Sequence, residues 1–522
     1  MLFRSLISFL LFFALKRWLH KPFFSFSSID SVRFSKFWKV ALVLLMIFLI
    51  KCSVTLTLGS RFLITKHTVI TGDNFLNGLV INPYYALSRT VREYKKRIGI
   101  EGLNDFIPTG DLRLALTKIY SEGPLHSTNI DDWIERTTKG SPLAQKPQHI
   151  FVVIMESQDN WLLQNDYSDF PVSSNLRELK EKGLYLGAFV SAGVSTINAL
   201  DGILMGIPQV GVVSHYQTLT RKPLSTSIAN QFKGLGYSTN FFYGGFLGWH
   251  RLGELASDQG FETVHGCVSM ASRSEFRDWG IDDEDLFKFV IDKISNSDRP
   301  TFNVIMTTSN HPPHPVALED KGCPIDEIEE VLAQRGCNGS STARILGHSW
   351  YADKCVGDFV KEMEKVCPNS LFAITGDHWG RHFIHDKLPT FETRTVPFIL
   401  YGPEVLKDLS FPKSVAGTHV DMAPTLIDLI APEGYKYCSL GRNLFDASER
   451  HITFGADCVL CPDCIFDTVR GNGIVEPLPW SSNISEKSPD ELKDLYNAFH
   501  AIGWWMIMRG PEFGENTTHG ES

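Results

Sequence analysis

Three short apolar runs in this chain stop abruptly at polar residues, and each has the make-up of a buried strand. Residues 149–155 end at Glu156 and Ser157, residues 301–306 end at a polar stretch that begins at Thr307 and contains Asn310 and His311, and residues 371–375 end at Gly376, Asp377 and His378. Within each run β-branched and aromatic residues sit on consecutive positions. Continuous burial of that kind predicts strands of a mostly parallel sheet with helices on both faces. A fourth segment has a different rhythm: Gly193 to Thr196 form a turn that opens an apolar helix, which stops at Gly206, Ile207 and Pro208. The fold class expected from these patterns is α/β.

In an open parallel sheet, ligands bind beyond the carboxyl ends of the strands. Glu156, His311, Asp377 and His378 should therefore converge. The helix-opening pair Ser195 and Thr196 adds a hydroxyl where free backbone N–H groups and the positive end of the dipole favour an anion. Taken singly, each residue has a plain reading, since Ser and Thr cap helices, Glu156 can cap the helix after it, and Asp-His suits a turn. Taken together, two carboxylates, an imidazole and a hydroxyl make a ligand set for one divalent cation, Mn²⁺ first, with Mg²⁺ and Zn²⁺ as alternatives.

With these residues in view, the sequence resembles the sulfatase-like branch of the alkaline phosphatase superfamily. Within that branch it is most similar to the lipoteichoic acid synthase and phosphoglycerol transferase group. The resemblance rests on Met155-Glu156-Ser157, Ser195-Thr196, Asn310-His311-Pro312, Gly376-Asp377-His378 and the segment from Thr418 and His419 to Thr425. It implies that Thr196 is the nucleophile and that Glu156, Thr196, Asp377 and His378 hold the metal. It also implies that His311 and His419 face the substrate phosphate or its alcohol and act in catalysis. Arg381 closely follows the metal pair, and its fork is placed to bind a phosphate oxygen.

Two departures from the family pattern stand out. Gly244 and Gly245 are followed by Phe246, where related proteins often carry an acidic residue. The Ser195–Ala199 stretch lacks the Pro and Arg of the formylglycine signature, which disfavours sulfate-ester hydrolysis. The expected activity is a phosphotransferase that moves a phosphoglycerol-type group from a phospholipid donor to an envelope glycan acceptor through a phospho-threonine. Phosphoethanolamine transfer and hydrolysis of a phosphodiester or sulfate ester are the alternatives.

Two apolar runs near the N-terminus suggest a membrane anchor of one or two spans within residues 1–60. Residues 5–15 form a run too short to cross comfortably, whereas 40–58 has the length for one crossing, interrupted by Lys51. The basic linker between them should stay cytoplasmic, which exports the remainder of the chain at a bacterial plasma membrane. A helical connector is expected over 61–145, the catalytic domain over 146–445, and a cysteine-containing extension over 446–522 whose tail is disordered from Gly510. A hydrophobic content of 43% supports a sizeable core, and a formal charge of −9 argues against a nucleic-acid partner.

The chain has ten cysteines. In an oxidising compartment several should pair, and Cys323 with Cys337 would close a short loop. Cys458, Cys461 and Cys464 have the spacing of clustered disulfides or of a Zn²⁺ knuckle, which would need Cys438 or His451 as a fourth ligand.

Overall fold

The structure, a computed structural model, describes residues 100–514 apart from short internal stretches, together with a few positions between 41 and 91. The chain divides into two compact units, residues 1–63 with 81–91 and residues 64–80 with 92–522. In the first unit, residues 44–49 are helical, and their side chains, Leu44 to Leu49, are exposed. Among the described residues no helix is long and apolar enough to cross a membrane. The run 5–15 and most of 40–58 lie outside the described residues.

In chain order, the strands that frame the second unit are β1 (Glu135–Thr137), β2 (His149–Met155), β3 (Leu184–Leu186), β4 (Phe189–Val190), β5 (Ser238–Tyr243) and β6 (Thr263–Gly266). They continue with β7 (Thr301–Met306), β8 (Ser370–Gly376), β9 (Phe398–Tyr401), β10 (Gly417–Thr418) and β11 (Lys436–Cys438). Seven of them form one sheet in the order β3-β9-β8-β2-β7-β5-β6. The five strands from β8 to β6 are parallel, but β9 runs antiparallel to both β8 and β3. The sheet is thus mixed: one edge turns antiparallel, and the parallel centre carries the three strands read from the sequence.

The continuous apolar runs have a simple cause, because both faces of the sheet are covered. On β2, Ile150, Val152 and Ile154 point into one core, while Phe151, Val153 and Met155 point into another. The helices used below are α1 (Leu112–Ile119), α2 (Ile130–Ile134), α3 (Ser174–Lys182), α4 (Thr196–Met205), α5 (Ile228–Gly234), α6 (Asp283–Ile294), α7 (Ser340–Val366), α8 (Met422–Ile430) and α9 (Pro489–Met508). The first core takes Leu200 and Ile203 from α4, Phe232 from α5 and Leu426 from α8. The second takes Leu176 from α3, Leu286 and Val290 from α6, and Val356 and Phe359 from α7. Phe151 stacks on Phe372 at 5.1 Å and meets Phe359 edge-on, so its truncation to Ala would cost about 3–5 kcal/mol.

Residues 446–522 are no separate appendage. They form a four-stranded antiparallel sheet, β12 (Thr453–Phe454), β13 (Cys458–Leu460), β14 (Cys464–Asp467) and β15 (Val475–Pro477), followed by α9. Phe499, Ile502 and Met506 of α9 share the first core with the central strands. Pro511 and Phe513, which lie in the segment expected to be disordered, are bonded to the fold: Ile130 N donates to Pro511 O at 2.8 Å and Phe513 N donates to Thr128 O at 2.8 Å.

The cysteines correct the sequence reading. No disulfide forms among the described residues, and Cys323 and Cys337 are thiols rather than a pair. Cys337 Sγ lies 2.6 Å from Ile384 O, while Cys323 packs near Gly347 O. Nor do Cys458, Cys461 and Cys464 converge on a metal: they follow the β13–β14 hairpin and are buried in the apolar core. Cys438 pairs through β11 with β1, and His451 lies outside the described residues.

Candidate active site and metal centre

The ends of β7, β2 and β8 are stitched together by backbone. Thr307 N donates to Ile154 O and Asp377 N donates to Met155 O, each at 3.0 Å. Glu156 N donates to Thr307 Oγ1 at 3.0 Å. Past this seam Ser157 takes a left-handed φ of 51°, a conformation that a non-glycine residue holds only when its surroundings impose it. The turn brings Ser157 N within 2.7 Å of Asp377 Oδ1, which also accepts from His378 N at 2.7 Å.

The turn that opens α4 is tied to the same seam. Ser191 Oγ donates to Asp377 O at 2.6 Å, and Gly193 N donates back to Ser191 Oγ at 3.1 Å. A Cβ on Gly193 would lie 2.3 Å from Ala199 N, so the turn folds directly onto the first turn of α4. Ser195 is the N-cap residue of α4, yet its side chain makes no capping bond. Thr196 Oγ1 then lies 3.2 Å from Glu156 Oε2 and 3.4 Å from His378 Nε2.

Glu156, Asp377 and His378 are all buried, and one ligand atom from each lies within 4.8 Å of the others. His378 Nδ1 faces Trp379 O at 2.8 Å and must carry the proton, which leaves the Nε2 lone pair facing the carboxylates. Asp377 Oδ2 is buried and has no hydrogen-bond donor. Burial, and then the facing Glu156 carboxylate, pushes Asp377 up to about 6. Two crowded carboxylates, an oriented imidazole and an orphan oxygen fit a divalent cation, whose charge offsets what the protein leaves unbalanced.

These groups open into a pocket of about 310 Å³. His311 is on its wall, with its ring 4.0 Å from that of Trp279 and its Nδ1 held by Pro312 O at 2.6 Å. Asn310 braces the floor, donating to Glu156 O at 3.0 Å. Among the described residues no Lys or Arg lines the pocket.

His419 does not face this pocket. It is buried, its Nε2 donates to Gly376 O at 2.9 Å, and burial pulls it down to about 3. Its bond beneath the end of β8 ties the His419 ring to the strand that carries Asp377 and His378. Arg381 lies outside the described residues.

Sequence reading missed other pocket residues, among them Asp159, Trp161, Trp249 and His250. Burial pushes Asp159 up to about 7 even though it accepts from Gly380 N at 2.7 Å. Trp249 and His250 follow the end of β5, the same strand-end position that revealed the others, but Phe246 and Leu247 mask the polar stop there.

A family model described as Sulfatase matches residues 148–431, the span from β2 to the end of α8. The chain belongs to the sulfatase family. Among sulfatase-family relatives, it is 21% identical over 324 residues to a lipoteichoic acid synthase of Staphylococcus saprophyticus, covering 58% of this chain and 48% of that one. It is 23% identical over 181 residues to the lipoteichoic acid synthase-like YvgJ of Bacillus subtilis, covering 32% and 28%. The chain thus spans less than half the length of these relatives. The fold is shared with an alkaline phosphatase superfamily protein from Vibrio parahaemolyticus (TM-score 0.58, 17% identity, 76% of this chain and 96% of that one). It is also shared with the lipoteichoic acid synthase LtaP of Listeria monocytogenes (TM-score 0.58, 14% identity, 77% and 100%).

Proposed function

We propose that this sulfatase-family enzyme is a phosphotransferase that moves a phosphoglycerol-type headgroup from a phospholipid to an envelope glycan. It would act on the outer side of a bacterial plasma membrane. The observation that carries the reading is Thr196 Oγ1, held at a helix N-terminus 3.2 Å from Glu156 and 3.4 Å from His378. Glu156, Asp377, His378 and Thr196 Oγ1 would hold one divalent cation, Mn²⁺ foremost. When bound, that cation would lower the pKa of the hydroxyl and offset charge on the phosphoryl oxygens.

Thr196 Oγ1, its proton released to solvent, would attack phosphorus in line, forming a phospho-threonine, and the bond to the diacylglycerol oxygen would break as that oxygen takes a proton. The acceptor hydroxyl would then attack the phospho-threonine, breaking the bond to Thr196 Oγ1, which regains a proton from solvent. His311, on the pocket wall, is placed to give the diacylglycerol oxygen its proton and later to take one from the acceptor hydroxyl. The similarity to lipoteichoic acid synthases supports a phosphoglycerol donor, and the missing formylglycine signature argues against sulfate esters.

The experiment is to incubate the purified chain with Mn²⁺ and headgroup-labelled phosphatidylglycerol, comparing wild type with Thr196→Ala. Diacylglycerol release should fall at least about 1,000-fold in the variant. Turnover of phosphatidylethanolamine alone would replace the headgroup assignment. Rapid release of free glycerol phosphate without an acceptor would make the enzyme a hydrolase.

A further inference from the structure

A second and larger cavity, about 650 Å³, opens between α2, β1, β11 and the C-terminal end of α8, and it shares no lining residue with the catalytic pocket. Its volume is in the range of about 300–1,000 Å³ typical of small-molecule sites. Its walls combine charged groups of both signs with the rings of Tyr120, Trp133, Tyr437 and Phe445.

Three cations, Arg136, Lys139 and Arg442, line this cavity. Four carboxylates line it, and each is engaged elsewhere. Asp132 accepts from Ser127 at 2.5 Å, Glu135 from Lys436 at 2.6 Å, and Asp428 from Tyr437 and Asn443 at 2.9 Å each, while Asp446 pairs with Lys139 at 3.7 Å. Arg136 lies on β1 opposite Tyr437 and is half-buried. Among the described residues its one hydrogen bond is a long one, from Nε to Ser439 O at 3.4 Å. Among the described residues it forms no ion pair, so the two terminal nitrogens of its fork meet no acceptor. Trp133 is 5% exposed, and its Nε1 is buried without a hydrogen-bond partner.

A half-buried guanidinium with an unfilled fork matches a planar or tetrahedral oxyanion, and such pairs are among the stronger hydrogen-bonded contacts in proteins. The aromatic rings and already engaged carboxylates around it suit a hydroxylated ring. We propose that this cavity binds a saccharide bearing an oxyanion, a phosphate or a carboxylate, with Arg136 as the anion fork. The site would be separate from the metal centre, and the proposal does not depend on the reaction assigned to that centre.

Trp133 lines only this cavity, so it reports on this site and not on the catalytic one. The full chain, labelled with 5-fluorotryptophan, would be titrated with glucose 1-phosphate, glucuronate and glucose while the ¹⁹F resonance of Trp133, assigned with Trp133→Phe, is followed. A saturable shift with glucose 1-phosphate or glucuronate is expected, and whichever of the two binds identifies the oxyanion. Arg136→Gln should weaken it by about tenfold or more, and Arg136→Lys, which keeps the charge without the fork, should fall between. If Arg136→Gln disturbs the ligand-free Trp133 resonance, the Arg136→Lys comparison decides. No shift with either anion would overturn the proposal, as would an equal shift with glucose, or wild-type affinity in both Arg136 variants.

Discussion

Ser157 N donates to Asp377 Oδ1 at 2.7 Å, joining residues 220 positions apart through a backbone turn that only a left-handed φ permits. The bond uses one oxygen of Asp377 for architecture and leaves the other for chemistry. Asp377→Asn keeps an acceptor for both backbone donors and removes the charge. The variant should stay folded and bind Mn²⁺ at least about 100-fold more weakly by calorimetry, a larger loss than removing an outer hydrogen-bond partner produces. Wild-type metal affinity would remove Asp377 from the ligand set.

The close fit of Gly193 against Ala199 N makes the nucleophile turn intolerant of a single methyl group. Gly193→Ala should destabilise the fold by about 1–3 kcal/mol through overpacking and, by moving Thr196, lower kcat more than it raises KM. Chemical denaturation and steady-state kinetics on one preparation measure both. Unchanged kinetics would mean that the turn does not position the hydroxyl.

His419 is neutral in the folded chain, and its sign follows from burial. With a folded value near 3 against an unfolded value of about 6.5, the unfolded chain binds more protons between those limits. Stability should therefore fall as pH drops from about 6.5 toward about 3. The curve for His419→Gln, although lower overall, should be flatter in that window. The pH dependence of kcat/KM should keep the same limbs in both proteins, and loss of a limb in the variant would restore His419 to a catalytic role.

Asp283 has the opposite sign. It is buried, accepts from Thr308 N at 2.9 Å and Ser309 N at 3.1 Å, and is pushed up by burial to about 6. The folded state holds its proton more tightly than the unfolded state does, so this group adds stability as pH falls from about 6 to about 4. In Asp283→Asn that gain should disappear, and an identical pH slope would show that Asp283 does not titrate there.

The thiol state of Cys323 and Cys337 is checked by alkylating the unfolded chain without reductant and mapping the peptides. Both should carry the label. A linked, unlabelled peptide pair would restore the disulfide.

The sheet centre was legible in the sequence because two covered faces force consecutive apolar residues, and the Glu156, Asp377 and His378 cluster because two of those runs end on ligand-type side chains. His419 is buried away from the pocket lining, because a motif fixes position along the chain and says nothing of depth. It follows β10, which pairs with β4 outside the seven-stranded sheet, so the strand-end argument does not aim it at the pocket. Trp249 and His250 were invisible for another reason, since apolar Phe246 and Leu247 follow the Gly244-Gly245 break after β5 and separate them from the strand end. The cysteines were misread because pairing was inferred from compartment, whereas the β13–β14 hairpin uses its sulfurs as small core side chains.

The core that includes the catalytic strands is closed by the last long helix of the chain. Phe499 and Ile502 of α9 lie in it beside Leu116 of α1, and β1 pairs with β11, a partner about 300 positions downstream. A ribosome making this chain releases β2, β7 and β8 long before the segment that seals them. The nascent enzyme must therefore wait, partly assembled, until α9 emerges, and a chain lacking α9 would present Glu156, Asp377 and His378 on an open core.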